Sequence, residues 1–103
     1  MSSTIDFIDY ICSQIEEIGV ITYKKMFGEY MIYFDSVPVL LVCNNIVYVK
    51  MLKELEVLME SAEKGIPYKG AKEHYILDID DNELALKVLP ILKDKYPKKK
   101  TLN

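Results

Sequence analysis

The stretch from Thr22 to Lys50 constrains this chain more than any other, because it sets three apolar runs in close succession. Tyr30 to Phe34, Val39 to Cys43 and Ile46 to Lys50 are rich in Val, Ile, Leu and aromatic residues, side chains that suit a pleated, buried surface. Turn chemistry separates them. Asp35-Ser36 stands before Val37-Pro38, and Asn44-Asn45 offers two residues that tolerate positive φ, as a two-residue hairpin turn requires. Links this short join antiparallel neighbours, so the runs are expected to form a meander. A strand from about Val20 to Met26 should precede them, with Gly28 in the Phe27-Gly28 pair permitting a tight reversal or a bulge.

Around this block the periodicity changes to that of helices. Ile8, Ile11, Cys12, Ile15 and Ile18 recur at spacings of three and four, which predicts an amphipathic helix over Ile5 to Ile18. Ser3 with Asp6 resembles a capping box, and Gly19 can take the left-handed conformation that ends a helix. Lys53 to Lys64 is predicted as a second helix, with Leu55, Leu58, Met59 and Ala62 inward and Gly65 and Pro67 as stops. A fifth strand is expected at Tyr75 to Ile79. Asp80, Asp81 and Asn82 can then cap a third helix reaching about Tyr96 on a stripe of Leu84, Val88, Ile91 and Leu92. Pro90 should kink or restart that helix, Pro97 should close it, and the lysine-rich tail 97–103 is expected to be mobile. The prediction is one α+β domain over residues 1–103. It has two layers, a mainly antiparallel sheet with helices on one face, in the order α-β-β-β-β-α-β-α.

Several function classes find no support in the residues. No apolar run approaches the ~18 residues of a membrane span, and no basic region precedes an apolar one at the N-terminus, so a cytoplasmic location is the expectation. Cys12 and Cys43 fall on apolar faces and read as small buried hydrophobes; a disulfide between them is not needed. No metal site is expected, since the single His74 and the scattered acids lack ligand spacing. There is no Gly-x-Ser-x-Gly, no Cys with a matched His, no Ser-x-x-Lys and no glycine-rich phosphate loop. His74 reads as a surface residue, and Asp78, Asp80 and Asp81 read as helix-start acids. The chain is therefore expected to be no enzyme and to need no cofactor.

The strands also break a rule. A sheet with one wet face alternates apolar with polar residues. Here Met31 and Tyr33 oppose Tyr30, Ile32 and Phe34; Val39 to Val42 is aliphatic on both sides; Ile46 and Tyr48 oppose Val47 and Val49. Either a helix or the Gly65 to Lys72 loop covers part of the second face, or that face or an adjoining edge makes a homodimer or receives a partner. Tyrosine supplies eight of the eleven aromatic residues, which favours an interface. A protein partner, a homodimer in the simplest case, is therefore the expectation. Lys24 and Lys25, ahead of Met26, Phe27 and Gly28, could form a basic rim with Lys50. With Tyr33 these are the candidate partner-binding residues. The same lysines and the tail would serve the alternative, a weak nucleic-acid-binding module, although the absence of arginine argues against direct base reading. Strand lysines also discourage edge-to-edge aggregation.

The run Lys24-Lys25-Met26-Phe27-Gly28-Glu29-Tyr30-Met31-Ile32-Tyr33 resembles the signature of the TfoX/Sxy N-terminal domain family, a basic residue before Met-Phe-Gly-Gly and a strand ending in an Asp-Gly turn. Asp35 matches the acid of that turn, Val39 to Val42 the apolar strand after it, and Asn44-Asn45-Ile46-Val47-Tyr48-Val49-Lys50 a turn followed by Leu-Tyr-Leu-Lys. Pro67-Tyr68-Lys69-Gly70 is similar to its Tyr-bearing segment before the last strand. Glu29, Met31 and Ser36 stand where the family commonly has glycine. The resemblance spans roughly Ile21 to Tyr96. It implies a two-layer α+β domain without known catalytic residues. Larger relatives add a C-terminal helical domain and act in competence-gene regulation. The expectation is a non-catalytic interaction domain, accessory to transcription or competence regulation through protein–protein contacts.

Overall fold

In the computed structural model, residues 3–26 and 29–95 are described. They form an α+β fold: helix α1 (Ile5–Ile15), strands β1 (Ile21–Met26), β2 (Glu29–Phe34), β3 (Val37–Cys43), β4 (Ile46–Val49), β5 (Lys64–Gly65) and β6 (His74–Ile76), and helix α2 (Asn82–Lys95). The strands make one sheet in the order β1-β2-β3-β4-β6-β5, every pair antiparallel.

Both tight turns adopt the geometry that a right-handed sheet twist demands. Asp35 and Ser36 have φ of 49° and 72°, and Asn44 and Asn45 have φ of 53° and 59°. Two consecutive positive values are what a two-residue hairpin loop needs. The register slips between Ile32 and Tyr33, whose partners are Leu40 and Pro38, so Val39 is the extra residue of a bulge. Pro38, which has no N–H to give the ladder, sits beside that irregularity.

Helix α1 starts where the sequence places it, but its cap is Thr4, whose Oγ1 accepts from the Phe7 N–H at 3.3 Å. Ser3 has another role. Its Oγ accepts from the Asn45 N–H at 2.9 Å, and Asn45 Oδ1 accepts from the Thr4 N–H at 3.0 Å, which ties the N-terminus to the β3–β4 turn. The regular helix ends at Ile15, and Glu16–Ile18 tightens into a 3-10 turn. Gly19 does not take the expected left-handed cap. It is needed for closeness, since a Cβ there would stand 2.6 Å from the Phe34 ring.

The expected helix over Lys53 to Lys64 is absent. Lys53–Leu55 is a single 3-10 turn, followed by isolated turns such as Met59 N–H to Leu55 O (2.9 Å) and Ala62 N–H to Met59 O (3.0 Å). Leu55 and Met59 are fully buried as anticipated. Two anchors do not sustain a short helix, which is marginal without packing, and a backbone edge competes for its end. The Glu63 carbonyl accepts from the Ile76 N–H at 2.8 Å, and Lys64 and Gly65 pair with Tyr75 and His74.

Helix α2 is continuous through Pro90, so of the expected kink or restart the restart does not occur. Pro90 lies on the solvent side, where water can satisfy the carbonyl its ring deprives, while Ala85, Val88, Leu89 and Leu92 hold the other side in the core. Asp81 Oδ1 accepts from the Leu84 N–H at 3.1 Å and starts this helix. Pro97 and the tail 97–103 lie outside the described residues. The core packs Ile8, Ile11 and Ile15 of α1 and the α2 stripe against Tyr30, Ile32, Phe34, Leu40, Val42, Val47, Val49 and Tyr75.

Candidate docking face

Successive strand residues point to opposite sides, so the registers decide which residues share the side away from the helices. Lys24, Met31, Leu41, Tyr48 and Ile76 form one row across five strands. Met26 with Glu29, and Cys43 with Ile46, continue that side in one direction. Thr22, Tyr33 and Pro38 continue it in the other. The row is largely apolar and incompletely covered. Met31, Tyr33 and Leu41 are half-buried, while Met26 is 40 % and Ile46 36 % exposed.

The first of the two outcomes left open by the sequence, cover by the loop, occurs in part. The connection between β5 and β6 folds over this side, and Tyr68 and Ala71 line the same hollows as sheet residues. Tyr68 itself remains 59 % exposed. Gly65 lets this connection start close to the sheet, since a Cβ would meet Tyr48 and Ile76 carbons at 3.3 Å.

Two clefts result. One, of about 310 Å³, is lined by Met31, Pro38, Val39, Leu40, Leu41, Tyr48, Lys50, Tyr68, Ala71, Lys72 and His74, and none of these described residues is a carboxylate. The other, of about 490 Å³, is lined by Met26, Glu29, Met31, Leu41, Cys43 and Tyr68. Met31, Leu41 and Tyr68 belong to both, so the clefts adjoin there. His74 is held in place. Its Nδ1–H donates to the Lys72 carbonyl at 2.8 Å, and its ring stands edge-on to Tyr48 with centroids 6.3 Å apart. Burial, with the Glu29 carboxylate adding to it, pushes the Cys43 thiol up to about 11. Burial with Asp9 and Glu16 raises Cys12. Both cysteines are free thiols. A protonated thiol is a poor nucleophile. Among the described residues, no group of three or more His, Cys, Asp and Glu could hold a metal ion.

Of the candidate residues, Lys24, Met26, Tyr33 and Lys50 fall on this side. Lys25 does not: it pairs with Tyr30, a core residue, and so points to the helix side of the edge strand. Lys24 and Lys50 are three strand spacings apart and offset by two residues, roughly 16 Å in all, so the three lysines form no common rim. Phe27 and Gly28 lie outside the described residues. The basic residues that share a cleft with Lys50 are instead Lys72 and His74, which are not among the candidate site residues. Their spacing of two at a strand entry, which puts both on one face, was the available signal. A third hollow of about 670 Å³ at the far edge carries Glu63, Asp78 and Asp81. Two of those acids are engaged by backbone, Asp78 accepting from the Asp80 N–H at 3.0 Å in the turn before α2 and Asp81 capping α2 through the Leu84 N–H.

No known family profile matches the chain. It is 37 % identical over 54 residues to the uncharacterized 12.7 kDa protein in the trpE 5′ region of Spirochaeta aurantia, a match covering 52 % of this chain and 47 % of that protein. The chain thus spans about half the length of this relative. No helix among the described residues is long and apolar enough to cross a membrane.

Proposed function

We propose that this chain is a non-catalytic protein-interaction domain that docks a partner on the side of its sheet opposite the helices. The observation that carries this reading is the row Lys24-Met31-Leu41-Tyr48-Ile76. It is too apolar for a solvated surface, and Tyr68 covers it only in part. Such a mixture of Met, Leu and Tyr with a charged border is the composition of a docking patch. The resemblance of Lys24 to Tyr33 to the TfoX/Sxy N-terminal signature supports a cytoplasmic accessory to transcription or competence regulation. The simplest occupant is a second copy of the chain. Sedimentation equilibrium at micromolar concentration tests this. A dimer that Leu41→Glu dissociates supports the face; a dimer indifferent to Leu41→Glu places the contact elsewhere and overturns it. A monomer removes the second copy and leaves a different protein as occupant.

A second reading has one observation in its favour, the Lys50 and Lys72 pair at one cleft, which could meet a phosphate backbone. A weak nucleic-acid binder of this kind would lose retention steeply as salt rises. A retention unchanged by Lys50→Ala with Lys72→Ala would remove it.

A further inference from the structure

The sheet ends on two unlike edges. Strand β5, at one end, has two residues and offers little backbone to pair with. Strand β1, at the other, runs six residues without a proline or a slip in its register with β2. Its backbone groups divide by alternation. The Asp35 N–H donates to the Val20 carbonyl at 2.8 Å, which makes those two a bonded pair. Thr22, Lys24 and Met26 follow as the bonded partners of Tyr33, Met31 and Glu29. The N–H and C=O groups of Ile21, Tyr23 and Lys25 therefore point away from the sheet, and no hydrogen bond from a described residue meets them. Thr22 to Met26 are all exposed, so this edge is uncovered.

We infer that β1 takes an added strand from a partner protein, an extended segment with two adjacent acidic residues flanked by apolar ones. The side chains of β1 specify that pattern. Lys24 on the open side and Lys25 on the helix side are neighbours on the edge strand, and neither is in an ion pair with a described residue. Residues directly opposite on paired strands share a side, so consecutive acids on the incoming strand reach one lysine each. On either flank the strand meets apolar surface. One is the Tyr23 ring, 41 % exposed and set edge-on to Tyr30 with centroids 5.8 Å apart; the other is Met26, 40 % exposed. The order apolar-acid-acid-apolar reads the same in both strand directions.

Lysines on an edge ordinarily keep strands apart, and here they discriminate between partners. In either antiparallel register that keeps most of β1 paired with a copy of itself, Lys24 lies opposite or diagonal to its twin, within reach of a like charge. An acidic strand turns the same side chains into favourable cross-strand pairs, while the backbone bonds supply affinity. The edge shares only Lys24 with the row across the open side. It is a site beyond the docking face, and either can fail without the other.

The test is selection of phage-displayed random dodecapeptides on the full chain, followed by fluorescence anisotropy on variants whose folding is checked by circular dichroism. Peptides with two adjacent Asp or Glu between apolar residues are expected. Lys24→Glu with Lys25→Glu should weaken them about tenfold or more. Lys25→Pro removes an outward N–H while sparing the ladder to β2, a change that an edge strand tolerates. It should abolish binding that Lys25→Ala only weakens. Peptides N-methylated at alternate residues repeat this test from the other side: one alternate set should lose all binding and the other keep it. Leu41→Glu should change nothing. Enriched peptides without paired acids, binding indifferent to the double reversal or to both proline and N-methylation, or no enrichment at all, overturn the inference. Peptides lost with Leu41→Glu alone also overturn it and leave the docking face standing. A dimer that survives Leu41→Glu and is lost with Lys25→Pro puts a second copy on the edge, which overturns it as well.

Discussion

The two faces of the sheet are made from nearly the same residue types, yet they end in different states. Tyr30, Ile32, Leu40, Val42, Val47 and Val49 face the helices and are all but removed from water. Met31, Leu41, Tyr33 and Ile46, often their immediate neighbours in sequence, lie on the other side and remain partly wet, although Tyr48 and Cys43 on that side are buried. The difference lies in what covers them. An amphipathic helix brings a continuous stripe, as α1 does with Ile8, Ile11 and Ile15, whereas the β5–β6 connection brings essentially one ring, Tyr68. Composition alone therefore does not decide whether an apolar strand face is a core or a surface.

That contrast can be broken most easily by truncation. Ile32→Ala should cost about 2–5 kcal/mol, because Ile32 is fully buried between sheet and helices. Leu41→Ala, on the opposite side, should cost about 1 kcal/mol or less. Equal losses in urea unfolding would mean that both faces are core. Thiol chemistry sharpens the same comparison. Although Cys43 lies on the open side, its thiol is pushed up to about 11 from 9.0 by burial and then by Glu29. Near pH 8 its alkylation in the folded chain should be about a hundredfold slower than that of an ordinary thiol. Reaction at the ordinary rate, followed by mass spectrometry, would show the cleft at Cys43 to be open.

The two hairpin turns offer a finer test. Ser36 holds φ of 72° without the side-chain amide that eases such a conformation in Asn44 and Asn45. Ser36→Gly should stabilise by about 0.5–1 kcal/mol, and Asn44→Gly by less. A destabilising Ser36→Gly would assign that serine a contact beyond its backbone.

The smallest effect concerns Asp35, which joins this turn to α2. Its Oδ2 meets Lys93 Nζ at 2.8 Å and its Oδ1 accepts from the Val20 N–H at 3.0 Å. The Lys93 bond first, and the Val20 N–H second, hold its carboxyl below the ordinary 3.8. A depressed carboxyl stabilises the fold above its unfolded value and loses that contribution as pH falls through the folded one. Melting temperature should therefore fall on acidification from about pH 6 to about pH 3, slightly less steeply in Asp35→Asn. Identical slopes would show the ion pair to be inert, as exposed pairs often are.

What was legible in the sequence was local. Asn44-Asn45 announces its turn because the φ requirement lies within two residues, and the isoleucines of α1 announce their helix by spacing alone. The segment after Lys53 misled because its helical pattern competes with the free edge of β6, a partner more than ten residues away. The face was legible through the failed alternation at Met31 and Tyr33. Its occupants were not: Tyr68, Lys72 and His74 reach Met31 and Leu41 only through the β4–β6 pairing. Lys25 was grouped with Lys24 by adjacency, which in a strand means opposite sides.

The most direct measurement places a photo-cross-linking benzoylphenylalanine at Tyr33, on the open side, and separately at Glu17, on the outer surface beyond α1, in cells producing the chain. The account predicts a discrete protein adduct from position 33 and none from position 17. An adduct from position 17 alone, or none from 33 in a folded, expressed chain, would contradict it.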